Sequence, residues 1–500
     1  MIKHKAFDLL RSFSQDEFSR FGDFVRSPYF NKSKKIIAVY DHLYPYYPEF
    51  TDSRISKFVI YEKLFKSGEY KDSSVRNVLA RLINLAQEFL VLENLGYDKL
   101  SRQNMLLEEL NRRKLNDLFL KNLREAEIGI KKFSEVDFDY LLNRYILERN
   151  KFNFSIQNDK IISKNKVYPQ IRKLSDAGVY LSIYYITELI ADNINILVYS
   201  EKFNIEGKTP STIARILESI DYKSIYSEVK GSFEFDYLLE IYLALLNSFR
   251  DLENSEAYFE YKGLVNRYIN NLSSDEISFH YSIMLGCCIL KGKQLKSPEV
   301  FNAELMNLYD EILKNEYYKN KKVQHLPEDL YRDILFLSIR ENNLEFVKEL
   351  IDKYTLKIHS SQRENMYHFS FAFYYFSLKE YERSLEYINK IKLDYFIYKY
   401  DVKNLMLKVY FELGYLEEAI SLIHSYRELL RKDVFLSESR KVRNRNFIKF
   451  LRKLIILKID NKLSEIENLK VDLNGVSELR YKKWLISKIN EIVESGKSDV

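Results

Sequence analysis

Apolar residues recur every three or four positions along most of this chain, the spacing of helices that bury one face. Phe7, Leu10 and Phe13, then Phe18, Phe21, Phe24 and Val25, mark two short helices. Ser14 and Glu17 between them make a Ser-x-x-Glu capping box that starts the second. That helix ends in Ser27-Pro28-Tyr29-Phe30-Asn31-Lys32, because Pro28 disfavours helix at the residue before it. A helix over 36–44 stops at Pro45 and Pro48, and another follows over 55–65. After a turn at Gly68, the run Val75, Val78, Leu79, Leu82, Ile83, Ala86, Phe89, Leu90 predicts a long amphipathic helix capped by Asp72 or Ser73. From 100 to 320 helix follows helix, with short breaks expected near 152–154, 204–210, 230–232, 270–275 and 291–298.

A repeat emerges between Tyr331 and Tyr426. Three segments, 331–354, 368–391 and 403–426, each read as a long apolar helix, a turn and a second amphipathic helix. Their turns are Asn342-Asn343-Leu344-Glu345, Leu378-Lys379-Glu380-Tyr381 and Leu413-Gly414-Tyr415-Leu416. The matching second-helix positions Val347, Ser384 and Ala419 lie 37 and 35 residues apart, the period of stacked helical hairpins. In its Tyr410, Gly414 and Ala419 the third unit resembles the tetratricopeptide consensus; the second keeps Ala372, Tyr375 and Tyr381 but has Ser384 for the usual Ala. The likeness covers about a fifth of the chain. It implies a curved stack whose first helices line a concave groove, at Met366, Phe369, Phe373 and Phe376 in one unit and at Asn404, Lys408 and Phe411 in the next. Those residues make a groove for a partner helix if exposed, or packing between turns of the stack if not. The N-terminal order, Ser-Pro-Tyr-Phe-Asn-Lys after a Phe-rich helix and a Leu-rich helix later, resembles uncharacterised bacterial helical-repeat proteins, which implies no activity. At the other end, 476–493 aligns Leu479, Trp484, Leu485, Ile489, Ile492 and Val493 opposite Lys482, Lys483, Lys488 and Glu491, as a capping helix requires.

The expected architecture is therefore all-α: an elongated α-solenoid of stacked antiparallel helix pairs with an N-terminal helical module. Its divisions are 1–100 for the module, 101–330 for irregular hairpins, 331–460 for tetratricopeptide-like repeats and 461–500 for the cap. Composition agrees. Five hundred residues exceed one compact core. Only 13 Gly and 7 Pro leave too few turns for a β-sandwich or a Gly-rich nucleotide-binding sheet. Hydrophobic residues at 46% exclude global disorder. A net charge of +6 from 78 basic and 72 acidic residues is too mild for a dedicated nucleic-acid binder. Cys287 and Cys288, adjacent and without others, exclude a disulfide framework and a four-Cys zinc site and fit a reducing compartment. The first residues lack a signal-peptide stretch, and the most apolar window, Tyr180 to Tyr199, carries Glu188, Asp192, Asn193 and Asn195. A buried helix in a soluble cytoplasmic protein, not a membrane span, is expected.

No chemistry-bearing motif completes itself. Gly286-Cys287-Cys288-Ile289-Leu290-Lys291-Gly292-Lys293-Gln294 has one residue too many for a phosphate-binding loop and Gln where the Mg²⁺-binding hydroxyl belongs. Phe21-Gly22-Asp23-Phe24 lacks any accompanying kinase catalytic loop. The seven histidines never take a paired metal-binding spacing, and His280, two helical turns from Cys287 and Cys288, reads with them as core. The densest charge cluster is Arg440, Lys441, Arg443, Arg445, Lys449, Arg452 and Lys453, with no acid between and with Phe447, Phe450, Leu451, Leu454 and Ile455 interleaved. It is either a solvated helix face or a basic face for phosphates or an acidic partner.

The leading expectation is a non-catalytic protein–protein interaction scaffold that uses a curved repeat surface to hold a protein or peptide, with no cofactor or metal. The alternative is a nucleic-acid-associated or regulatory protein using 72–92 as a helix-turn-helix-like reader, with Arg76 and Arg81 as base readers, aided by the segment 440–453.

Overall fold

The computed structural model describes residues 4–50, 52–65, 69–130, 138–158, 164–202, 211–295, 298–393, 398–434 and 436–498. Among them every regular element is helical. The chain forms two compact units, one of residues 1–134 and 142–180, the other of 135–141 and 181–500. Two expected features, the turn at Gly68 and the break over 204–210, lie outside the described residues.

The N-terminal helices are α1 (Lys5–Arg11), α2 (Gln15–Arg26), α3 (Lys34–Leu43), α4 (Lys57–Leu64) and α5 (Asp72–Tyr97). The long α5 is a spine on which the four shorter helices pack. Its Val75, Leu79, Leu82 and Phe89 meet Phe7, Phe18, Phe21, Val25, Val39 and Leu43 in one apolar core. Each such ring or aliphatic chain withdrawn from water contributes about 1.5–3 kcal/mol. Ser14 and Glu17 form the expected box, Ser14 N–H donating to Glu17 Oε2 at 2.6 Å and Glu17 N–H to Ser14 Oγ at 3.2 Å. Gly22, inside α2, lets Tyr40 pass: an added Cβ would stand 2.5 Å from Tyr40 Oη, which donates to the Phe18 carbonyl at 2.7 Å. The long helix differs from expectation at its start. It begins at Asp72, with no side-chain cap, because the Asp72 carboxylate is held by Lys57 at 2.9 Å and Arg76 at 2.8 Å.

Next come α6 (Lys99–Arg112), α7 (Asn116–Ile130), α8 (Phe138–Asn158) and α9 (Lys164–Lys202). Helix α8 runs unbroken through 152–154, where a break was expected, since Phe154 stacks on Phe119 of α7 at 4.0 Å. Along α9, Ile183, Ile186, Ile190 and Ile194 are buried, but Tyr185 and Tyr199 are exposed. It is thus buried on one side rather than throughout. Its stretch Ile171–Ser200 is long and apolar enough to cross a membrane, by length and composition; a third of that window is buried.

The second unit continues with α10 (Ser211–Ser219), α11 (Tyr222–Val229), α12 (Asp236–Arg250), α13 (Ser255–Arg267), α14 (Ser274–Gln294) and α15 (Pro298–Asn315). Then come α16 (Glu328–Arg340), α17 (Leu344–Glu349), α18 (Ser360–Ser377), α19 (Tyr381–Asn389), α20 (Lys399–Leu413), α21 (Leu416–Lys432), α22 (Glu438–Ile459), α23 (Leu463–Asn474) and α24 (Lys482–Ser498). From α12 onward each helix packs on its successor, and α18 also touches α16 and α20. Val347, Ser384 and Ala419 are all buried, so the period read from the sequence marks where paired helices approach. Four hairpins close on one residue of left-handed backbone: Asn342 (φ 55°), Lys379 (φ 62°), Gly414 (φ 78°) and Asn461 (φ 53°). The last helix starts at Lys482 rather than 476, for Tyr481 also takes a positive φ of 56° and turns the segment before it.

Candidate functional site

The residues expected to line a groove are brought together, but as interior. Met366, Phe369, Phe373, Asn404, Lys408 and Phe411 are buried, and Phe376 is half-buried. Phe373 packs against Phe336 and Phe369, each ring 4.8 Å away. Trp484 of α24 meets Phe411 edge-on at 5.6 Å and donates through Nε1 to Glu412 at 2.9 Å. Glu412 also holds Lys488 at 2.8 Å. The chain's own C-terminal segment thereby covers the first-helix face of α20.

Polar groups in this interior are matched to one another. Asp401 lies between two guanidinium groups, Arg332 Nε and Arg480 Nη2, each at 2.8 Å. Asn404 donates to Asn444 Oδ1 at 3.0 Å and accepts from the Tyr426 hydroxyl at 3.1 Å. Lys408, 7% exposed, places its amine over the rings of Phe376 (4.1 Å) and Tyr481 (4.6 Å). Burial pulls its pKa down to about 8, opposed in part by Glu412. These groups hold helices together.

The basic segment lies on α22, whose Phe447, Phe450, Leu451, Leu454 and Ile455 are buried as a helical spacing requires. Its charges are partly matched. Lys441 pairs with Glu438 at 2.7 Å, Arg443 with Glu478 at 2.5 Å, Arg445 with Glu438 at 3.7 Å and Lys453 with Asp472 at 3.0 Å. Arg452 is half-buried, while Arg440 and Lys449 face solvent. The cluster has no acid within it, yet Glu438 precedes it on α22, Asp472 comes from α23 and Glu478 from the segment between α23 and α24. In the N-terminal module, Arg76 is engaged by Asp72, and Arg81 lines an open cleft of about 530 Å³ with Phe30, Lys32 and Asn84.

His280 and the cysteines are core, as their sequence context suggests. The Tyr261 hydroxyl sits 2.7 Å from His280 Nδ1, and Tyr242 donates to Glu276 at 3.0 Å. Burial pushes the Cys287 thiol up to about 12, so it stays protonated and unreactive. Lys291, at the position that mimicked a phosphate loop, points its amine at the carbonyls of Asp251, Leu252 and Asn254 (2.8–3.3 Å), closing the end of α12. No cluster able to hold a metal occurs among the described residues.

An aromatic row that was not expected runs along the side of α18 opposite the expected groove. Tyr367, Phe371 and Tyr375 follow one another at i, i+4 and i+8, a spacing that was available in the sequence as a signal. Phe371 stacks on Tyr387 of α19 at 5.0 Å and Tyr375 does so at 5.4 Å. Cations lie over these rings: Lys348 over Phe371 (4.8 Å), Arg383 over Tyr375 (4.8 Å) and Lys390 over Tyr387 (4.7 Å). At one end the row opens into a cleft of about 400 Å³ lined by Leu356, Arg363 and Tyr367, with Tyr367 39% exposed. No protein-family model, curated protein or solved structure matches this chain.

Proposed function

We propose that this protein is a non-catalytic interaction scaffold, a tetratricopeptide-like solenoid of helix pairs that holds another protein or peptide. The partly exposed tyrosines Tyr367, Tyr375 and Tyr387, set on the buried Phe371 and rimmed by Lys348, Arg383 and Lys390, carry the reading. Tryptophan, tyrosine and arginine are enriched among the residues that dominate interface energetics, and a tyrosine ring covers a large area for only two side-chain torsions. Lys348 and Arg383 are themselves paired with Asp352 at 3.3 Å and Glu380 at 2.7 Å, so the rim carries both signs of charge and the tyrosine rings supply the anchors for a partner segment. Buried free thiols suit the reducing cytoplasm assigned to such a scaffold.

The test is affinity purification of the tagged protein from its native cells, with and without nuclease, for the natural chain and for Tyr367→Ala/Tyr375→Ala. The expected result is a stoichiometric protein partner that survives nuclease and is lost from the double variant. Loss of every partner on nuclease treatment would replace the reading with nucleic-acid binding and direct attention to 440–453. Equal capture by the variant would remove the aromatic row from the surface.

A further inference from the structure

A cavity of about 410 Å³ opens between α14, α15, α16 and the last turn of α9, within the range that holds small ligands. It shares no residue with the aromatic row, so its reading stands or falls independently of the scaffold. One wall exists because Gly286 lets α9 approach: a Cβ there would stand 3.0 Å from Val198. Tyrosines form much of the lining. Tyr281 and Tyr317 pair at 4.5 Å between centroids, and the Tyr281 hydroxyl is taken by Glu311 at 2.7 Å. Tyr309 is different: it is 4% exposed and lines the cavity, yet its hydroxyl has no hydrogen-bond partner among the described residues. Burial, with Asp333 next in effect, raises its pKa, so the hydroxyl stays protonated at neutral pH.

Two carboxylates, Asp329 and Asp333, stand one turn apart on α16 at the edge of this space. Asp333 is met by Arg332 at 3.1 Å. Asp329 has no cationic partner among the described residues; its Oδ1 accepts only the neighbouring Leu330 amide, at 3.0 Å. Among the described residues the one cation in the lining is Lys293, exposed on α14. Carboxylates and the negative faces of tyrosine rings both attract positive charge, and a tyrosine oxygen accepts from an N–H donor. With Asp333 already met by Arg332, Asp329 is the carboxylate a ligand head would face, and it repels an anion while attracting a cation more strongly than a neutral group. The geometry points to a binding site for an organic cation, a primary ammonium on a short apolar stem, with its stem among the tyrosines and its head between Tyr309 and Asp329.

The experiment is calorimetric titration of the full chain with three probes that share ring and stem length: phenethylamine, 2-phenylethanol and phenylacetate. The ammonium is expected to bind about tenfold more tightly than the alcohol, the ratio that about 1.4 kcal/mol of charge attraction gives, and phenylacetate more weakly than either. Asp329→Asn, at an exposed position, should cost the ammonium about tenfold and leave the alcohol unchanged. Tyr309→Phe should cost it several-fold, and if that buried variant fails to fold, the Asp329 variant carries the test alone. N-α-acetyl-lysinamide identifies the source. Tighter binding than phenethylamine assigns the site to a lysine side chain of a peptide, and weaker binding assigns it to a free amine. Equal affinity for ammonium and alcohol, no measurable binding of the ammonium, or an Asp329→Asn protein that binds it unchanged would overturn the assignment.

Discussion

The interior of the first five helices and the interior of the pairs from α16 to α24 are built on different principles. Around α5 the buried side chains are aromatic and aliphatic, and among the described residues Asn31 is the one buried polar side chain there, holding the loop after α2 through the Val25 carbonyl at 2.8 Å. Between α16 and α24 the core admits Asp401, Asn404, Lys408 and Asn444. A spine with four helices around it has one way to close, and apolar contact suffices. A stack of similar hairpins offers several near-equivalent registers, and matched buried polar groups select among them because a slip leaves each unpaired. Phe21→Ala sets the scale for the first region: about 3–5 kcal/mol lost in urea unfolding, with no dependence on ionic strength.

Asp401→Ala probes the other principle. It leaves Arg332 and Arg480 facing each other, their side chains 21% and 29% exposed, and should cost about 2–4 kcal/mol, part of it screened in 1 M salt. A loss as insensitive to salt as that of Phe21→Ala would break the comparison.

Lys408 sharpens it through pH. Its pKa is about 8 in the fold, against 10.5 for a lysine side chain free in water. Below 8 both states carry the proton, and the fold bears the full cost of a buried charge. Between 8 and 10.5 the unfolded chain binds the proton and the folded chain does not, so stability attributable to Lys408 rises with pH. Lys408→Met should therefore be more stable than the natural chain at pH 7, by about 1–2 kcal/mol after loss of the ring contacts. That gap should close at about pH 9 and reverse by about pH 10.5 in parallel denaturation curves; a constant gap would mean that Lys408 does not titrate in this window.

Periodicity made much of this legible. The capping box, the apolar face of α5 and the positions Val347, Ser384 and Ala419 depend on residues a few places apart, and pattern alone fixes them. What pattern could not supply was the partner of each face. Phe411 has the spacing of a groove lining, but whether it sees solvent depends on Trp484, over seventy residues later. The acids that engage Arg443 and Lys453 likewise come from 472–478. The cavity of α14, α15 and α16 gathers tyrosines and aspartates from four separate stretches of chain, so no local spacing announces it.

The smallest effects test where the second region's stability does not reside. Lys379 holds a left-handed conformation that Gly414 adopts without cost in the next hairpin, so Lys379→Gly should raise stability by about 0.5–1 kcal/mol. Arg440→Ala with Lys449→Ala lies at the far end. Both side chains face solvent on α22, with no ion pair among the described residues, and surface substitutions of this kind stay within about 0.5 kcal/mol. Matched charges inside α16–α24 and free charges outside it thus predict opposite outcomes for the same chemical change. A double variant that unfolds as readily as Asp401→Ala would mean that α22 is held by charge on its outer face, not by the polar groups between the helices.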